Sequence, residues 1–426
     1  MEKFIIEGGH PLKGEVQPSG NKNAALPILA ACLLSREKIT LRNLPDIRDV
    51  RTMKKLLESL GVEIICIDAH TWEISANELH PGNMDPELCN AIRASILLAG
   101  PIAAREGEIK LPPPGGDVIG RRRVDTHIYA LEKLGVHCEY NRFFTFRVSQ
   151  LKGADILLDE ASVTATENTI MAAVLAQGTT IIRNAASEPH VQDLCKFLNI
   201  LGAKISNIGS NILHIEGVNK LHGGEFSIGA DYLEVISFIG AAAVTKGEIT
   251  VKNAGVEYLD MIRLVFKRLG VHWEIRGDDI FVPSNQKMEI DPDLGDAIPE
   301  ISVMPWPAFP TDLMSIAIVI ATQSKGTVLF HDWMYPSRMF FTDKLVGMGA
   351  QIVLCDPHRC IVQGPSRLFA EKMEGPDIRA GMALLLATLS ANGTSWIRNV
   401  GQIDRGYEQI DVKLAALGAK IERVST

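Results

Sequence analysis

Residues 56–64 read LLESLGVEI, and the chain returns to that pattern five more times: ALEKLGVHC (130–138), FLNILGAKI (197–205), VFKRLGVHW (265–273), KLVGMGAQI (344–352) and KLAALGAKI (413–421). Each copy opens with apolar residues at helical spacing, breaks at a glycine and resumes as a short alternating run. The glycines are Gly61, Gly135, Gly202, Gly270, Gly349 and Gly418. A glycine just past a helix supplies the positive φ that closes its last turn, so each copy predicts an amphipathic helix, a C-terminal glycine and a strand.

A second pattern runs ahead of the first. REKITLRNL (36–44), EGEIKLPPP (106–114), QGTTIIRNA (177–185), KGEITVKNA (246–254), KGTVLFHDW (325–333) and NGTSWIRNV (392–400) each carry a turn and then an alternating strand. Each follows a nearly all-apolar stretch: ILAACLL, ASILLAGPIAA, TIMAAVLA, VISFIGAAAV, SIAIVIAT or MALLLATLS. Helices with no polar face are buried on all sides. The order apolar helix, turn, strand, loop, amphipathic helix, glycine, strand therefore occurs six times. It predicts an α/β protein of six similar modules that bury their apolar helices together.

The bulk composition suits that reading. Of 426 residues, 46% are hydrophobic and 22% charged, which is ordinary for a globular chain with a large core. A net charge of −8 argues against nucleic acid as a partner, since such binders carry a basic face. The start, MEKFIIEGGHPLKGE, shows no apolar secretory core, and no apolar run reaches the length of a membrane span, so a cytoplasmic location is expected. The seven cysteines show no metal-type pairing. Cys355 and Cys360 flank DPHR without further ligands, and all seven are read as reduced thiols.

Walker A, HExxH, GxSxG and GxGxxG motifs are all missing, so any phosphate chemistry must use side-chain cations. Candidate cations sit near chain breakers. Lys22 lies in PSGNKNAALP, at the start of a buried helix, where it opposes the helix dipole. It is either a solvated turn lysine or a cation with an anion beside it. Arg121, Arg122 and Arg123 follow the stiff loop LPPPGGD (111–117), where such a run is commonly a solvated surface. Arg338 lies between aromatics in MYPSRMF, Arg379 opens the apolar helix of GPDIRAGMALLLA, and Arg405 lies in IDRGYEQID. Two acids stand out. Asp117 suits a turn, and Asp312, in PWPAFPTDLMSIAIVIA, suits a first-turn or N-cap position.

PSGNKNAALPILAACLL, RASILLAGPIAA, LPPPGGDVIGRRRVDTH, PAFPTD, DIRA and IDRGYEQI closely resemble the enolpyruvyl transferases, and the resemblance runs essentially end to end. It implies a two-lobed inside-out α/β barrel with three modules per lobe. The first lobe would span 22–229, with the loop 111–123, and the second 1–21 plus 230–426. It implies transfer of the enolpyruvyl group of phosphoenolpyruvate to a sugar hydroxyl through a phosphate-bearing tetrahedral ketal, with no metal or organic cofactor. The nearest branch uses UDP-N-acetylglucosamine; a more distant one makes 5-enolpyruvylshikimate 3-phosphate.

By position, Lys22, Arg122 and Arg405 would hold the phosphate, Arg338 and Arg379 the carboxylate, and Asp312 would orient or deprotonate the sugar hydroxyl. Asn23, Arg93, Asp125, Ser162, Glu188 and Asp377 fall at further substrate-binding positions. Asp117 stands where most members carry a reactive cysteine linked to proton delivery. As a carboxyl with a free pKa of about 3.9, against about 8.5 for cysteine, it must be desolvated to act as an acid near neutrality.

The chain also departs from the family pattern. Arg123 replaces a proline, Thr126 an apolar residue and Thr164 a glycine. Glu160 stands where some members have lysine, Tyr232 where an arginine occurs, Trp306 where His or Tyr is common, and Pro336 near a usual acid. The phosphoenolpyruvate positions are the better preserved. Two alternatives stay open on these departures: a paralogue acting on another nucleotide or sugar, and a catalytically silent nucleotide-sugar binder.

Overall fold

The computed structural model describes residues 2–116 and 123–425. The six apolar stretches form buried helices at Lys22–Ala31, Ala99–Glu106, Val163–Ala173, Tyr232–Thr245, Met314–Gln323 and Ile378–Ser390. The Tyr232–Thr245 helix buries every one of its 14 residues. One expected helix is broken. Residues 94–104 enter through a 3-10 turn, Arg93–Leu98, before the α-helix begins at Ala99, where Pro101 in the first turn needs no backbone donor.

The second half of each module also follows the sequence pattern. Strands Ile39–Arg42, Glu108–Leu111, Thr179–Arg183, Glu248–Val251, Gly326–His331 and Thr394–Arg398 leave the apolar helices. The amphipathic helices are Arg48–Ser59, Asp125–Lys133, Pro189–Ile200, Asp260–Arg268, Thr342–Gly347 and Ile410–Ala416. Arg48–Ser59 buries residues 49, 50, 53, 56 and 57, which is one face at helical spacing. All six glycines have φ between +81° and +102°, a region that costs other residues strain.

Among the described residues the strands form six small sheets. In each, a strand the repeat had not revealed lies between the two expected ones: Trp72–Ser75, Phe143–Arg147, Ile212–Glu216, Asp279–Val282, Arg359–Gly364 and, in the last sheet, Glu2–Glu7 from the far end of the sequence. That N-terminal strand pairs antiparallel with both Thr394–Arg398 and Lys420–Ser425. Five of the sheets carry a further parallel edge strand.

The chain divides into two compact units. One comprises residues 2–19 and 230–425, the other 20–116 and 123–229. Each has its own continuous core. In the first unit the helices Tyr232–Thr245, Met314–Gln323 and Ile378–Ser390 touch pairwise, and Gly240 marks their closest approach. A Cβ there would stand 2.9 Å from Leu386 Cδ2 and 3.0 Å from Ile316 Cγ2. In the other unit, Gly100 lies against Asn168, and its N–H donates to Asn168 Oδ1 at 2.9 Å. No described helix is long and apolar enough to cross a membrane. All seven cysteines are free thiols. Burial pushes Cys89, Cys195 and Cys360 up to about 12, which keeps them protonated and inert.

Because close-packed interiors tolerate added volume poorly, Gly240→Ala is expected to cost about 1–3 kcal/mol, measured by denaturant unfolding. An unchanged midpoint would mean that the three helices have room to spare.

Candidate active site

In the unit formed by residues 230–425 the sequence candidates converge on Asp312. Its Oδ1 accepts from Arg338 Nη2 at 2.9 Å, and its Oδ2 lies 3.3 Å from Arg379 Nη2. Asp312 takes the first-turn place that its position before an apolar run suggested, and it does not cap the helix. It sits in the 3-10 turn Thr311–Leu313, and the helix that follows has no side-chain cap. Arg338 and Arg379 are 3% and 6% exposed. Burial is the largest single effect and would lower both guanidinium pKa values, and Asp312 is the largest of the effects that oppose it. Asp377 and Asp332 add to the effect at Arg338, and Tyr407 and Asp231 at Arg379, so both stay above the usual arginine range.

Arg338 Nε is buried without a hydrogen-bond partner among the described residues. A buried donor left idle is costly, and one beside two clustered cations is suited to an anion. The Arg338 guanidinium lies 5.2 Å from the centre of the Tyr335 ring. Asp377 caps the Ile378–Ser390 helix, its Oδ1 accepting from the N–H groups of Arg379 (2.8 Å) and Ala380 (3.0 Å). This cap fixes the backbone from which Arg379 reaches Asp312. Arg405 is buried and donates through Nη1 to Gln402 Oε1 at 3.1 Å.

In the unit of residues 20–229, Lys22 is buried at the first position of its helix and pairs with Asp49 at 2.8 Å. It is not a solvated turn lysine. The anion expected beside it is present within the chain, and Asp49 in turn lies in the first turn of Arg48–Ser59, where negative charge is favoured. Asn21 caps the Lys22 helix through its side chain, and Asn23 follows half-buried. Arg93 donates through Nη2 to the Arg123 carbonyl at 2.8 Å. Ser162 begins the Val163–Ala173 helix without capping it through its hydroxyl.

Glu188 begins the Pro189–Ile200 helix, and the loop before it is tied down where Ala186 N–H donates to Thr166 Oγ1 at 3.0 Å. The next residue on that neighbouring helix, Glu167, is 1% exposed, and its Oε1 has no hydrogen-bond partner among the described residues. Burial, and then repulsion from Glu188, raise the Glu167 carboxyl well above the usual carboxylate range. Asp117 and Arg122 lie outside the described residues. No group of three or more His, Cys, Asp or Glu among the described residues is arranged to hold a metal ion.

Compared with known proteins, the sequence matches the EPSP synthase (3-phosphoshikimate 1-carboxyvinyltransferase) family over residues 6–414. The chain belongs to the enolpyruvyl transferase family. It is 56% identical to a UDP-N-acetylglucosamine 1-carboxyvinyltransferase from Bradyrhizobium diazoefficiens, over 99% of this chain and 98% of that one. It is 54% identical to one from Treponema denticola, over 99% of both. Its fold is similar to that of the enolpyruvyl transferase NikO from Streptomyces tendae, with a TM-score of 0.89 at 21% identity over 100% of this chain and 99% of that one. It also resembles EPSP synthase from Acinetobacter baumannii, with a TM-score of 0.75 at 17% identity over the full length of both.

In this enolpyruvyl transferase the departures from the family pattern are coupled to one another or to retained residues. Arg123 contacts Asp125 at 3.3 Å, Asp159 at 3.1 Å and Glu160 at 4.0 Å, and Thr126 Oγ1 donates to Asp159 at 2.8 Å. Tyr232 and Trp306 pack with ring centroids 6.1 Å apart. Thr164 Oγ1 lies 3.0 Å from His127 Nε2. The tautomer of His127 follows from its neighbours. Gly100 N–H can only donate, so Asn168 Oδ1 faces it. Asn168 Nδ2 then donates to Ile96 O at 2.8 Å and to His127 Nδ1 at 2.9 Å, which leaves the imidazole proton on Nε2, toward Thr164. Burial, and then Arg93, push His127 down to about 3, so it stays neutral.

Asp49, Glu167, Ser237, Asp332 and Tyr407 were not singled out from sequence. Each lies at an ordinary helix, loop or strand-end position, and each meets at least one group more than twenty residues away in sequence. Asp332, for example, accepts from Thr311 Oγ1 and from the backbone of Met334 and Tyr335, while burial raises its carboxyl.

The raised Glu167 carboxyl fixes a sign. Its protonated form stabilises the fold fully below the unfolded value of 4.5, and that contribution is lost as pH rises through the higher folded value. Glutamine cannot ionise. The difference in melting temperature, Glu167→Gln minus parent, is therefore expected to increase from about pH 5 to about pH 8. A difference that is flat across that window would mean that Glu167 is ionised in the folded protein.

Proposed function

We propose that this chain transfers the enolpyruvyl group of phosphoenolpyruvate to the 3-hydroxyl of UDP-N-acetylglucosamine and releases phosphate, the first committed step of peptidoglycan precursor synthesis. What carries this reading is the near-complete alignment, at 50% identity or more, with relatives named for that acceptor. The geometry supports it at Asp312. Two buried guanidiniums share one carboxylate, and the Asp312 side chain itself remains 29% exposed. Phosphoenolpyruvate presents a carboxylate and a phosphate, each of which calls for charge-assisted donors.

The steps balance as follows. The sugar hydroxyl oxygen attacks C2 of phosphoenolpyruvate, its proton passing to Asp312, while the methylene carbon takes up a proton. This gives a tetrahedral ketal bearing phosphate. Loss of a proton from the new methyl group then expels the phosphate and restores the double bond. Arg338 and Arg379 are assigned to the carboxylate, and Lys22, Arg122 and Arg405 to the phosphate. Asn23, Arg93, Asp125, Ser162, Glu188 and Asp377 are assigned to substrate positioning, and Asp117 to proton delivery and phosphate departure. Residues 22–229 and 1–21 plus 230–426 are read as the two lobes of an inside-out barrel, working in the cytoplasm without a metal or organic cofactor.

Phosphate release from phosphoenolpyruvate is expected only when UDP-N-acetylglucosamine is present. Release with another nucleotide sugar instead would point to a paralogue, and binding without release to a silent relative. Asp312→Asn is expected to lower turnover by about 10²-fold or more, the range for a lost general base. With aspartate at position 117, the epoxide fosfomycin is expected to cause no time-dependent inactivation. A covalent adduct in the intact-mass spectrum would sink the assignment of Asp117.

A further inference from the structure

Arg379 is held by more than Asp312. Its Nη1 lies 3.5 Å from Tyr407 Oη, and its guanidinium carbon lies 5.8 Å from the ring centroid of the same tyrosine. Tyr407 Oη lies 3.0 Å from Ser237 Oγ, and Ser237 Oγ lies 2.8 Å from the Leu233 carbonyl. The direction of this chain is fixed from its far end. A carbonyl only accepts, so the one Ser237 hydroxyl proton goes to Leu233 O. Ser237 can then only accept from Tyr407, which places the phenolic proton on the Ser237 side. The lone pairs of Tyr407 Oη are left to accept from Arg379, whose guanidinium only donates.

Tyr407 and Ser237 are 2% and 0% exposed, so water does not compete for these bonds. Burial raises the Tyr407 pKa further than Arg379 and Ser237 lower it, so the phenol stays protonated and neutral. The chain joins three elements of one unit: Arg379 on the Ile378–Ser390 helix, Tyr407 just after the Val400–Arg405 turn, and Ser237 on the Tyr232–Thr245 helix.

We infer that Tyr407 is a positioning residue for phosphoenolpyruvate recognition, its hydroxyl fixing the Arg379 guanidinium by a directed hydrogen-bond chain that ends on the Leu233 carbonyl. The inference rests on the assignment of Arg379 to the phosphoenolpyruvate carboxylate. A neutral acceptor suits this place. Asp312 already engages Nη2 with its charge, and a second carboxylate on Nη1 would compete with the substrate's own. Tyr407 orients the group without neutralising it.

The test uses Tyr407→Phe, Ser237→Ala, their combination and Arg379→Ala in the full-length protein, with kcat, both KM values and melting temperature measured for each. Tyr407→Phe is expected to raise KM for phosphoenolpyruvate about tenfold, the loss of one hydrogen bond to a charged group, and to leave KM for UDP-N-acetylglucosamine within about twofold. Ser237→Ala moves KM for phosphoenolpyruvate the same way by less, and the double variant matches Tyr407→Phe, because the two hydroxyls act in series.

Equal rises in both KM values, or effects of the two substitutions that add, would overturn the inference and leave Tyr407 a structural residue. Should Tyr407→Phe fail to fold, Ser237→Ala decides alone: an unchanged KM for phosphoenolpyruvate sinks the chain. Arg379→Ala separates the two claims. If it leaves KM for phosphoenolpyruvate unchanged, the assignment of Arg379 fails. If it raises KM while Tyr407→Phe does not, only the role of Tyr407 fails.

Discussion

A helix that is apolar on every side has no face to turn toward water, and six such helices set the terms for this protein. Each must be covered all round, and three in mutual contact with sheets packed about them is how residues 230–425 meet that demand. The amphipathic helices and small sheets follow as covering layers, each with one apolar face. The glycines follow too. Gly240 exists because helices that close leave no volume for a methyl group, and the six positive-φ glycines exist because each covering helix must end sharply and return as a strand. The apolar helices also supply rigid starting points for charged side chains: Lys22 and Arg379 stand in the first turns of two of them, with Asp312 in the turn leading into a third.

Charge at those starting points is handled by internal pairing. Lys22 has Asp49, and Arg338 and Arg379 share Asp312. A buried cation without a counter-charge would be unstable, and a permanently neutralised one would bind no anion. One carboxylate divided between two guanidiniums lies between those limits. Asp312 thus takes the first-turn place that local sequence reasoning allowed it and also joins two buried cations, which that reasoning could not show.

The repeat made the fold legible because it is written in local signals: a helical period, a glycine, a strand period. The central strands were not legible. Segments such as WEIS or DIFV are short and carry charges, and nothing local says that they will be sandwiched between two others. The site divides in the same way. Lys22, Arg338, Arg379 and Arg405 stood out as cations beside chain breakers, whereas Tyr407 and Ser237 are separated by 170 residues and meet only through the packing of helices. Asp49 lies in the first turn of an amphipathic helix, where nothing local points to Lys22. Among the departures, sequence does not say which touch, and in space Arg123 and Thr126 share Asp159 while Tyr232 packs with Trp306.

The strand Glu2–Glu7 has a consequence for how the protein is made. It fills the central slot of a sheet whose neighbouring strands, Thr394–Arg398 and Lys420–Ser425, are synthesised several hundred residues later. During translation Glu2–Glu7 waits for these partners, with both edges unsatisfied and open to wrong pairing. The unit of residues 20–116 and 123–229 needs no strand from so far along the sequence. Synthesis therefore imposes an order: one core can close before the other, which is completed only once Lys420–Ser425 has been made, through a contact of very long sequence separation.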